Sequence, residues 1–98
     1  MPNKTNDEKN MPEPVRVEDV LDLHGFFPEQ IPEILDEYLR FAVEKRYREV
    51  RIVHGKGKSR LKWQVRQFLQ ADKRVLHFTD APPERGGWGA TLVEINLP

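Results

Sequence analysis

Residues 20–25 read Val-Leu-Asp-Leu-His-Gly, and residues 50–57 read Val-Arg-Ile-Val-His-Gly-Lys-Gly. Each segment runs from an apolar stretch into a histidine followed by glycine, which is typical of a strand that ends in a turn. The chain between them carries apolar residues at helical spacing, namely Ile31, Ile34, Leu35, Tyr38, Leu39 and Ala42. A strand, a helix and a second strand in this order predict two parallel strands joined by a right-handed crossover.

The rest of the chain adds further predicted strands and a second predicted helix. The predicted strands span residues 15–24, 49–54, 74–79 and 90–97, and the predicted helices span residues 28–46 and about 60–71. Ser59 is the expected cap of the second helix, and the Pro- and Gly-rich residues 80–89 form a loop. The fold class is therefore α/β: a two-layer α/β sandwich of order β-α-β-α-β-β with a mixed four-stranded sheet, in which the last two strands pair antiparallel.

Composition limits the organisation and the location of the chain. Residues 1–14 are polar and contain three prolines, so we expect a disordered tail before a single domain over residues 15–98. The chain has no cysteine, which excludes a disulfide framework and fits a reducing, cytoplasmic location. It also lacks the secretory signal of an exported protein and the run of about 18 apolar residues that a membrane helix needs, so no membrane contact is expected.

The net charge is zero, but the charges are distributed unevenly. Residues 1–44 carry four basic and eleven acidic residues, whereas residues 45–74 carry eleven basic and two acidic residues. Residues 75–98 carry one basic and three acidic residues. A strongly basic middle third is typical of a surface that faces a polyanion, although a solvated face that serves solubility would have the same composition.

Two polar residues end the first predicted strand. Asp22 lies in an apolar strand, where an unpaired carboxylate is costly, and His24 follows two residues later. Because strand side chains repeat every two residues, we expect Asp22 and His24 to point the same way. A carboxylate that orients an imidazole favours acid–base chemistry. The alternative is a structural aspartate that caps a nearby turn.

Residues 54–60, His-Gly-Lys-Gly-Lys-Ser-Arg, form a basic, glycine-rich segment. A P-loop would need glycine at position 52, which is isoleucine, and a dinucleotide fingerprint would need glycine at position 60, which is arginine. What remains is a turn with Lys56, Lys58 and Arg60 at a helix N-terminus, where free amides favour a phosphate. An ordinary strand-to-helix turn is the alternative. Because the carboxyl ends of parallel strands share an edge, His24 and His54 should lie together there.

The loop before the last strand places Trp88 between Gly86, Gly87 and Gly89. An exposed Trp88 would suit stacking on a nucleic-acid base, whereas a tryptophan packed on the edge of the core is the structural alternative. No metal-ligand spacing such as HExxH occurs in the chain, so no metal site is predicted.

Three segments together resemble the Smr (small MutS-related) domain family. Residues 21–25 look like its LDxHG signature, residues 54–57 like its [TH]GxG signature, and residues 86–91 like its GGxGAT segment, in the family's order. The resemblance covers about residues 15–98. It departs from the common pattern at Phe27-Pro28, where many members have a small polar helix cap, and at Trp88, where a smaller residue is usual.

The resemblance implies a fold like that of the C-terminal domain of translation initiation factor three. It also implies binding of DNA or RNA, since many members are nicking or RNA-cleaving endonucleases, and some act in DNA-repair or ribosome-rescue proteins. Carried over to this chain, Asp22 and His24 form an acid–base pair and His54 assists. Gly55 and Gly57 let a phosphate approach, and the glycines of the third segment shape the opposite wall.

The predicted mechanism is endonucleolytic cleavage. Lys56, Lys58 and Arg60 clamp the phosphate backbone, and His24 acts as acid or base. On RNA the 2′-hydroxyl is a nucleophile that needs no metal, whereas on DNA water must attack and a divalent cation such as Mg²⁺ is the expected cofactor. Two alternatives stay open: a non-catalytic nucleic-acid- or ribosome-binding module, and a protein-interaction domain whose basic face meets an acidic partner.

Overall fold

The computed structural model describes residues 19–57 and 59–98. The strands are β1 (Asp19–Asp22), β2 (Glu49–Val53), β3 (Val75–Asp80) and β4 (Ala90–Ile95), and the helices are α1 (Ile31–Glu44) and α2 (Ser59–Gln70). Short 3-10 turns span Pro28–Gln30, Pro83–Arg85 and Gly87–Gly89. This order confirms the predicted β-α-β-α-β-β arrangement. The predicted tail, residues 15–18 of the predicted first strand, and Lys58 lie outside the described residues.

The four strands form one mixed sheet in the order β1-β2-β4-β3. β1 and β2 are parallel, with Asp22 opposite Val53, and β4 runs antiparallel to both β2 and β3. The parallel first pair and the antiparallel last pair are therefore confirmed. Because β4 inserts beside β2 with Ala90 opposite Val53, the loop that precedes β4 lies at the carboxyl end of β2. All three signature segments thus meet at one edge of the sheet.

Helix α1 buries the stripe that its sequence predicts. Its buried residues are Ile31, Leu35, Tyr38, Leu39 and Ala42. The helix ends two residues earlier than predicted, because Arg46 adopts a left-handed conformation with φ 59° and the Tyr47 N–H donates to the Ala42 carbonyl at 2.9 Å. This bond pattern terminates a helix.

Both helices share one core with the inner face of the sheet. Val65 and Leu69 of α2 join the α1 stripe and the alternate residues Val50 and Ile52 of β2, together with Val93 and Ile95 of β4. Trp63 of α2 stays outside this core and is exposed. Among the described residues, no helix is long and apolar enough to cross a membrane.

Two local predictions were wrong. β1 ends at Asp22 rather than at residue 24, so His24 lies in a turn and not in the strand. The turn begins there because the Asp22 carboxylate accepts a hydrogen bond from the His24 backbone N–H, which competes with strand pairing. Ser59 is the first residue of α2 rather than its cap, since the helical backbone already includes it.

Candidate functional site

The segments that follow β1 and β2 leave the sheet from the same edge. The Leu23 N–H donates to the Val53 carbonyl at 2.9 Å, so the two segments stay paired one residue beyond β1. Between these segments and the start of α2 lies a cleft of about 620 Å³. Predicted site residues that line it are Asp22, His24, His54, Gly55, Gly57 and Arg60. The sheet edge therefore brings the first two signature segments together, as the parallel strands predict.

Asp22 and His24 are both exposed at the mouth of this cleft. The Asp22 carboxylate accepts a hydrogen bond of 2.9 Å from the backbone N–H of His24, not from its imidazole. The next residue, Gly25, has φ +93°, a left-handed conformation that glycine adopts without strain. Asp22 therefore shapes the turn that presents His24, which is the structural role considered above for this aspartate. The His24 imidazole stands at the surface, where a substrate can reach it.

His54 is held very differently, with only 1% of its surface exposed. Its Nε2 atom lies 2.8 Å from the Thr91 hydroxyl of β4, and its Nδ1 atom is buried without a hydrogen-bond partner among the described residues. Burial lowers the pKa of His54 below the ordinary histidine value, and the positive charge of Lys62 acts in the same direction. The imidazole is therefore neutral at pH 7.

The turn after His54 is pinned to the third signature segment. The Gly89 carbonyl accepts hydrogen bonds from the backbone N–H groups of His54, at 3.0 Å, and of Gly55, at 2.9 Å. A Cβ atom on Gly89 would come within 2.9 Å of the Lys56 side chain and within 3.1 Å of the Lys56 backbone nitrogen. The second and third signatures thus form one packed unit, and glycine at position 89 is what permits the close approach.

The remaining glycines of the third segment stand outside the cleft. Gly86 adopts φ +113°, and a Cβ atom there would lie 2.8 Å from that of Ala90. Gly87 is also left-handed, with φ +52°, but has open space around it. Gly86, Gly87, Trp88 and Gly89 do not line the cleft, so this segment supports the cleft from behind rather than forming its opposite wall.

The basic residues of the glycine-rich turn divide between two places. Arg60, in the first turn of α2, is exposed and lines the cleft. Lys56 is exposed but lies on the Gly89 side of the turn, away from the cleft lining. Lys58 is outside the described residues. The cleft therefore holds one described cation, Arg60, that can meet a phosphate directly.

Lys62 is an unpredicted residue of this region, and only 4% of its surface is exposed. Its Nζ atom lies 2.8 Å from the Asp80 carboxylate, 3.1 Å from the centroid of the Trp88 ring, and 3.2 Å from the Trp88 carbonyl. These contacts fix the Trp88 loop against α2. Sequence patterning gave no sign of this role, because a lysine on a helix usually points to solvent.

Thr91 is a second residue that periodicity alone misses. It is buried on β4 and is the hydrogen-bond partner of His54, so it fixes the position of the imidazole ring. The GGxGAT resemblance includes this position and was the available signal. Gln64 is a third residue that periodicity alone misses. Its side-chain amide donates a hydrogen bond to the Pro28 carbonyl at 2.9 Å across the cleft.

The described residues that line the cleft include one carboxylate, Asp22. They would not enclose a Mg²⁺ ion by themselves, but Asp22 would hold one together with substrate phosphates, because Mg²⁺ usually takes one or two carboxylates and completes its octahedron with phosphate oxygens and water. No cluster of three or more His, Cys, Asp or Glu side chains suited to a metal occurs within residues 19–57 and 59–98.

Sequence comparison relates this chain to known proteins. Endonuclease MutS2 of Staphylococcus epidermidis is 41% identical over 75 residues, which cover 76% of this chain and 10% of that protein. Endonuclease MutS2 of Helicobacter pylori is 36% identical over 85 residues, or 87% of this chain and 11% of that protein. The chain thus spans about a tenth of the length of these relatives.

Solved structures give the same result for the fold. The Smr domain of Thermus thermophilus MutS2 superposes with a TM-score of 0.76 at 36% identity, over 80% of this chain and 98% of that chain. YdaL, a stand-alone small MutS-related protein from Escherichia coli, superposes with a TM-score of 0.74 at 25% identity, over 79% of this chain and 63% of that chain. The Smr domain model matches residues 21–96, so this chain belongs to the Smr domain family.

Proposed function

We propose that this domain binds nucleic acid in the cleft and cleaves its phosphodiester backbone as an endonuclease. The observation that carries the proposal is the placement of an exposed imidazole, His24, and a guanidinium, Arg60, in one cleft at the carboxyl ends of two parallel strands. The names of the MutS2 relatives support it, because those proteins are called endonucleases. Since the matched segment covers only 10–11% of those proteins, the activity of the domain on its own belongs to the proposal.

His24 is the acid–base group in this proposal. On RNA its imidazole removes the proton of a 2′-hydroxyl, the hydroxyl oxygen bonds to phosphorus, and the bond from phosphorus to the 5′-oxygen breaks as that oxygen takes a proton from a solvent water. On DNA the same imidazole takes a proton from a water whose oxygen bonds to phosphorus, while one ester P–O bond breaks and its oxygen leaves with a proton from solvent. Asp22 acts indirectly, because its carboxylate holds the backbone turn that presents the ring.

Arg60 and the glycine turns hold the phosphate in this proposal. The Arg60 guanidinium offers charge-assisted hydrogen bonds to phosphoryl oxygens, beside the N-terminus of α2, whose dipole favours an anion. Gly57 has open space around a would-be Cβ, so the backbone there can approach the substrate closely. Lys56 adds positive charge nearby, and Lys58 contributes a further basic residue to the same segment of the sequence.

His54 contributes as a neutral hydrogen-bonding group. When its Nε2 accepts the proton of the Thr91 hydroxyl, its Nδ1 carries hydrogen and donates to a phosphoryl oxygen as charge develops there. Because Nδ1 is buried, this contact requires a movement of the turn at Gly55, against the hydrogen bonds by which the Gly89 carbonyl holds it. In this role His54 stabilises charge and transfers no proton.

A second candidate function is binding without cleavage. Two observations favour it: the Asp22 carboxylate bonds to a backbone N–H rather than to the imidazole, and His54 is buried. In this case the same cleft binds structured nucleic acid, including a ribosomal RNA surface. Asp22 and His54 then have structural roles only.

The deciding experiment incubates the purified protein with labelled RNA hairpins, supercoiled DNA and branched DNA. Each substrate is tested with Mg²⁺ and with EDTA, beside a His24→Ala preparation purified identically to reveal contaminating nucleases. Cleavage that only the wild-type protein performs supports the endonuclease, identifies the polymer and shows whether a metal is needed. Binding without cleavage on every substrate supports the second candidate, and ribosome sedimentation is then the next test.

A further inference from the structure

A second depression lies on the other side of the α2 N-terminus from the cleft. It encloses about 430 Å³ and is lined by Ser59, Lys62, Trp63, Arg66, Asp80 and Trp88. We call it the tryptophan groove. Ser59 lines both the groove and the cleft, so the two adjoin. Its volume falls in the range of about 300–1,000 Å³ that is usual for small-ligand sites.

The groove exposes two indole rings that the core does not use. Trp63 is 63% exposed and Trp88 is 53% exposed, and neither belongs to the hydrophobic core. Large aromatic side chains that remain exposed together on one groove mark a surface for interaction. Trp63 and Trp88 are the only tryptophans in the chain.

The Trp88 ring is fixed from one side. The Lys62 ammonium lies 3.1 Å from the ring centroid and also holds the Trp88 carbonyl at 3.2 Å, while Asp80 holds the ammonium at 2.8 Å. A cation beneath one face of an indole is attracted by the ring quadrupole. Because Lys62 covers that face, the opposite face is the one presented to solvent. The ring is thus oriented before any ligand arrives.

The charges of the groove favour a base over a phosphate. Asp80 pairs with Lys62 at 2.8 Å and with Arg66 at 3.4 Å, so one carboxylate offsets much of the positive charge on the groove floor. A phosphate would meet that carboxylate, whereas a flat, uncharged nucleobase would meet two exposed indole rings. Stacking on aromatic side chains is how proteins hold the bases of unpaired strands.

We propose that the tryptophan groove binds unpaired bases of the nucleic acid whose backbone occupies the adjoining cleft. The proposal rests on the proposed function, since it assigns the form of nucleic acid that the same site recognises. A strand that leaves the cleft across the N-terminus of α2 places its next bases on Trp88 and Trp63. The domain therefore prefers substrates with a single-stranded segment beside the bound phosphate.

The test compares two strands that differ only in their bases. A roughly 12-nucleotide thymidine or uridine strand, of the polymer that the protein binds, is titrated beside an abasic strand of equal length, which keeps every phosphate. Tryptophan fluorescence reads out the groove alone, because both tryptophans lie in it. We expect the base-containing strand to quench the emission and to bind about 5- to 100-fold more tightly than the abasic strand.

Variants assign the preference to the rings. The Trp63→Ala/Trp88→Ala protein should lose the preference for the base-containing strand, whereas Phe27→Ala, which removes a 68% exposed ring outside the groove, should keep it. Because the double variant contains no tryptophan, its affinities are measured by the fluorescence anisotropy of end-labelled strands. If the double variant does not fold, Trp63→Phe and Trp88→Phe each retain a ring and leave one tryptophan as reporter. Each should keep the preference and show quenching of the remaining indole.

The outcomes separate this proposal from the function it rests on. Equal binding of both strands by the wild-type protein, without quenching, overturns the base platform and leaves the cleft proposal standing. A folded double variant that still prefers the base-containing strand also overturns it. Failure of the wild-type protein to bind any strand or any substrate of the cleavage assay overturns both, and a protein partner then becomes the better occupant of the groove.

Discussion

The two histidine turns of this domain share a local sequence and a backbone shape but differ in environment. His24 and His54 each follow the end of a parallel strand, and the next residues, Gly25 and Gly55, have φ values of +93° and +91°. Yet His24 is exposed and His54 is buried. The difference comes from the sheet order, because β1 is the outer strand among the described residues while β2 lies between β1 and β4. The segments packed around each histidine, rather than its local sequence, therefore decide whether the side chain is exposed and available for chemistry or buried as part of the structure.

The largest expected effect on stability comes from His54. His54→Ala removes a buried ring and leaves the Thr91 hydroxyl without its partner, so the free energy of unfolding should fall by about 2–4 kcal/mol. His24→Ala, at an exposed position, should change it by about 0.5 kcal/mol or less. Urea denaturation of both variants measures the difference. Equal losses would show that the two turns do not divide the roles as described.

The packing of the second signature on the third gives the next effect. Gly89→Ala places a Cβ within 3.1 Å of the Lys56 backbone nitrogen, and we expect a loss of about 1–3 kcal/mol from overpacking. Gly57→Ala is the matched control, because its Cβ meets nothing within 4 Å and its φ is not left-handed. The control should stay within about 0.5 kcal/mol of wild type in thermal or urea unfolding. A Gly89→Ala protein as stable as the control would contradict the packing described here.

The burial of His54 also predicts a dependence of stability on pH. The pKa of His54 is lowered in the folded state, so the unfolded chain binds the proton more readily and folding stability falls as pH drops below about 6.5. The slope approaches at most about 1.4 kcal/mol per pH unit for one proton. Asp72, whose pKa is lowered by its hydrogen bonds to Arg74, adds acid sensitivity only below about pH 4.

His54→Gln removes the titrating group while keeping a hydrogen-bonding side chain. Urea unfolding between pH 7 and about pH 5 should show a reduced slope for this variant relative to the wild-type protein. An unchanged slope would assign the sensitivity to other groups and would contradict the neutral, buried state of His54.

The predictions from the sequence agree best with the structure where they rest on a pattern that extends over many residues. Strand alternation, the α1 stripe and the two His-Gly segments were enough to predict the element order, the parallel pair and the shared sheet edge. The paired glycine segments were predicted to face each other across the cleft, but Gly89 instead supports the turn of Gly55 from behind. That arrangement depends on β4 lying beside β2, which periodicity cannot reveal because it contains no information on strand order.

Single side chains were harder to predict than elements. Lys62 was missed because its burial depends on Asp80 and Trp88, which are distant in sequence. Asp22 was expected to contact the His24 ring, since both were assigned to one strand, but the strand ends at Asp22 and the carboxylate takes the backbone N–H instead. Hydrogen bonds between a side chain and the nearby backbone compete with strand pairing over only one or two residues. A sequence pattern that spans a whole strand does not predict such a local change.

The smallest expected effect tests that turn. Asp22→Ala removes the acceptor of the His24 N–H and should cost about 0.5–1 kcal/mol, as the loss of a side-chain cap does. Asp22→Asn keeps an oxygen acceptor and should retain both stability and cleavage within a few-fold of wild type. Thermal unfolding and a cleavage assay check both variants. Loss of cleavage in a stable Asp22→Asn protein would mean that the negative charge, rather than the turn, is what His24 requires.

The central claim is that His24 performs chemistry in a cleft whose architecture is held by other residues. The most direct measurement is the rate of cleavage by His24→Ala at saturating substrate, with the affinity for that substrate and the free energy of unfolding measured on the same preparation. We predict a rate lower by about 10²- to 10⁴-fold, the usual contribution of an acid–base group, with affinity and stability close to wild type. Cleavage at the wild-type rate by the pure variant would contradict the account.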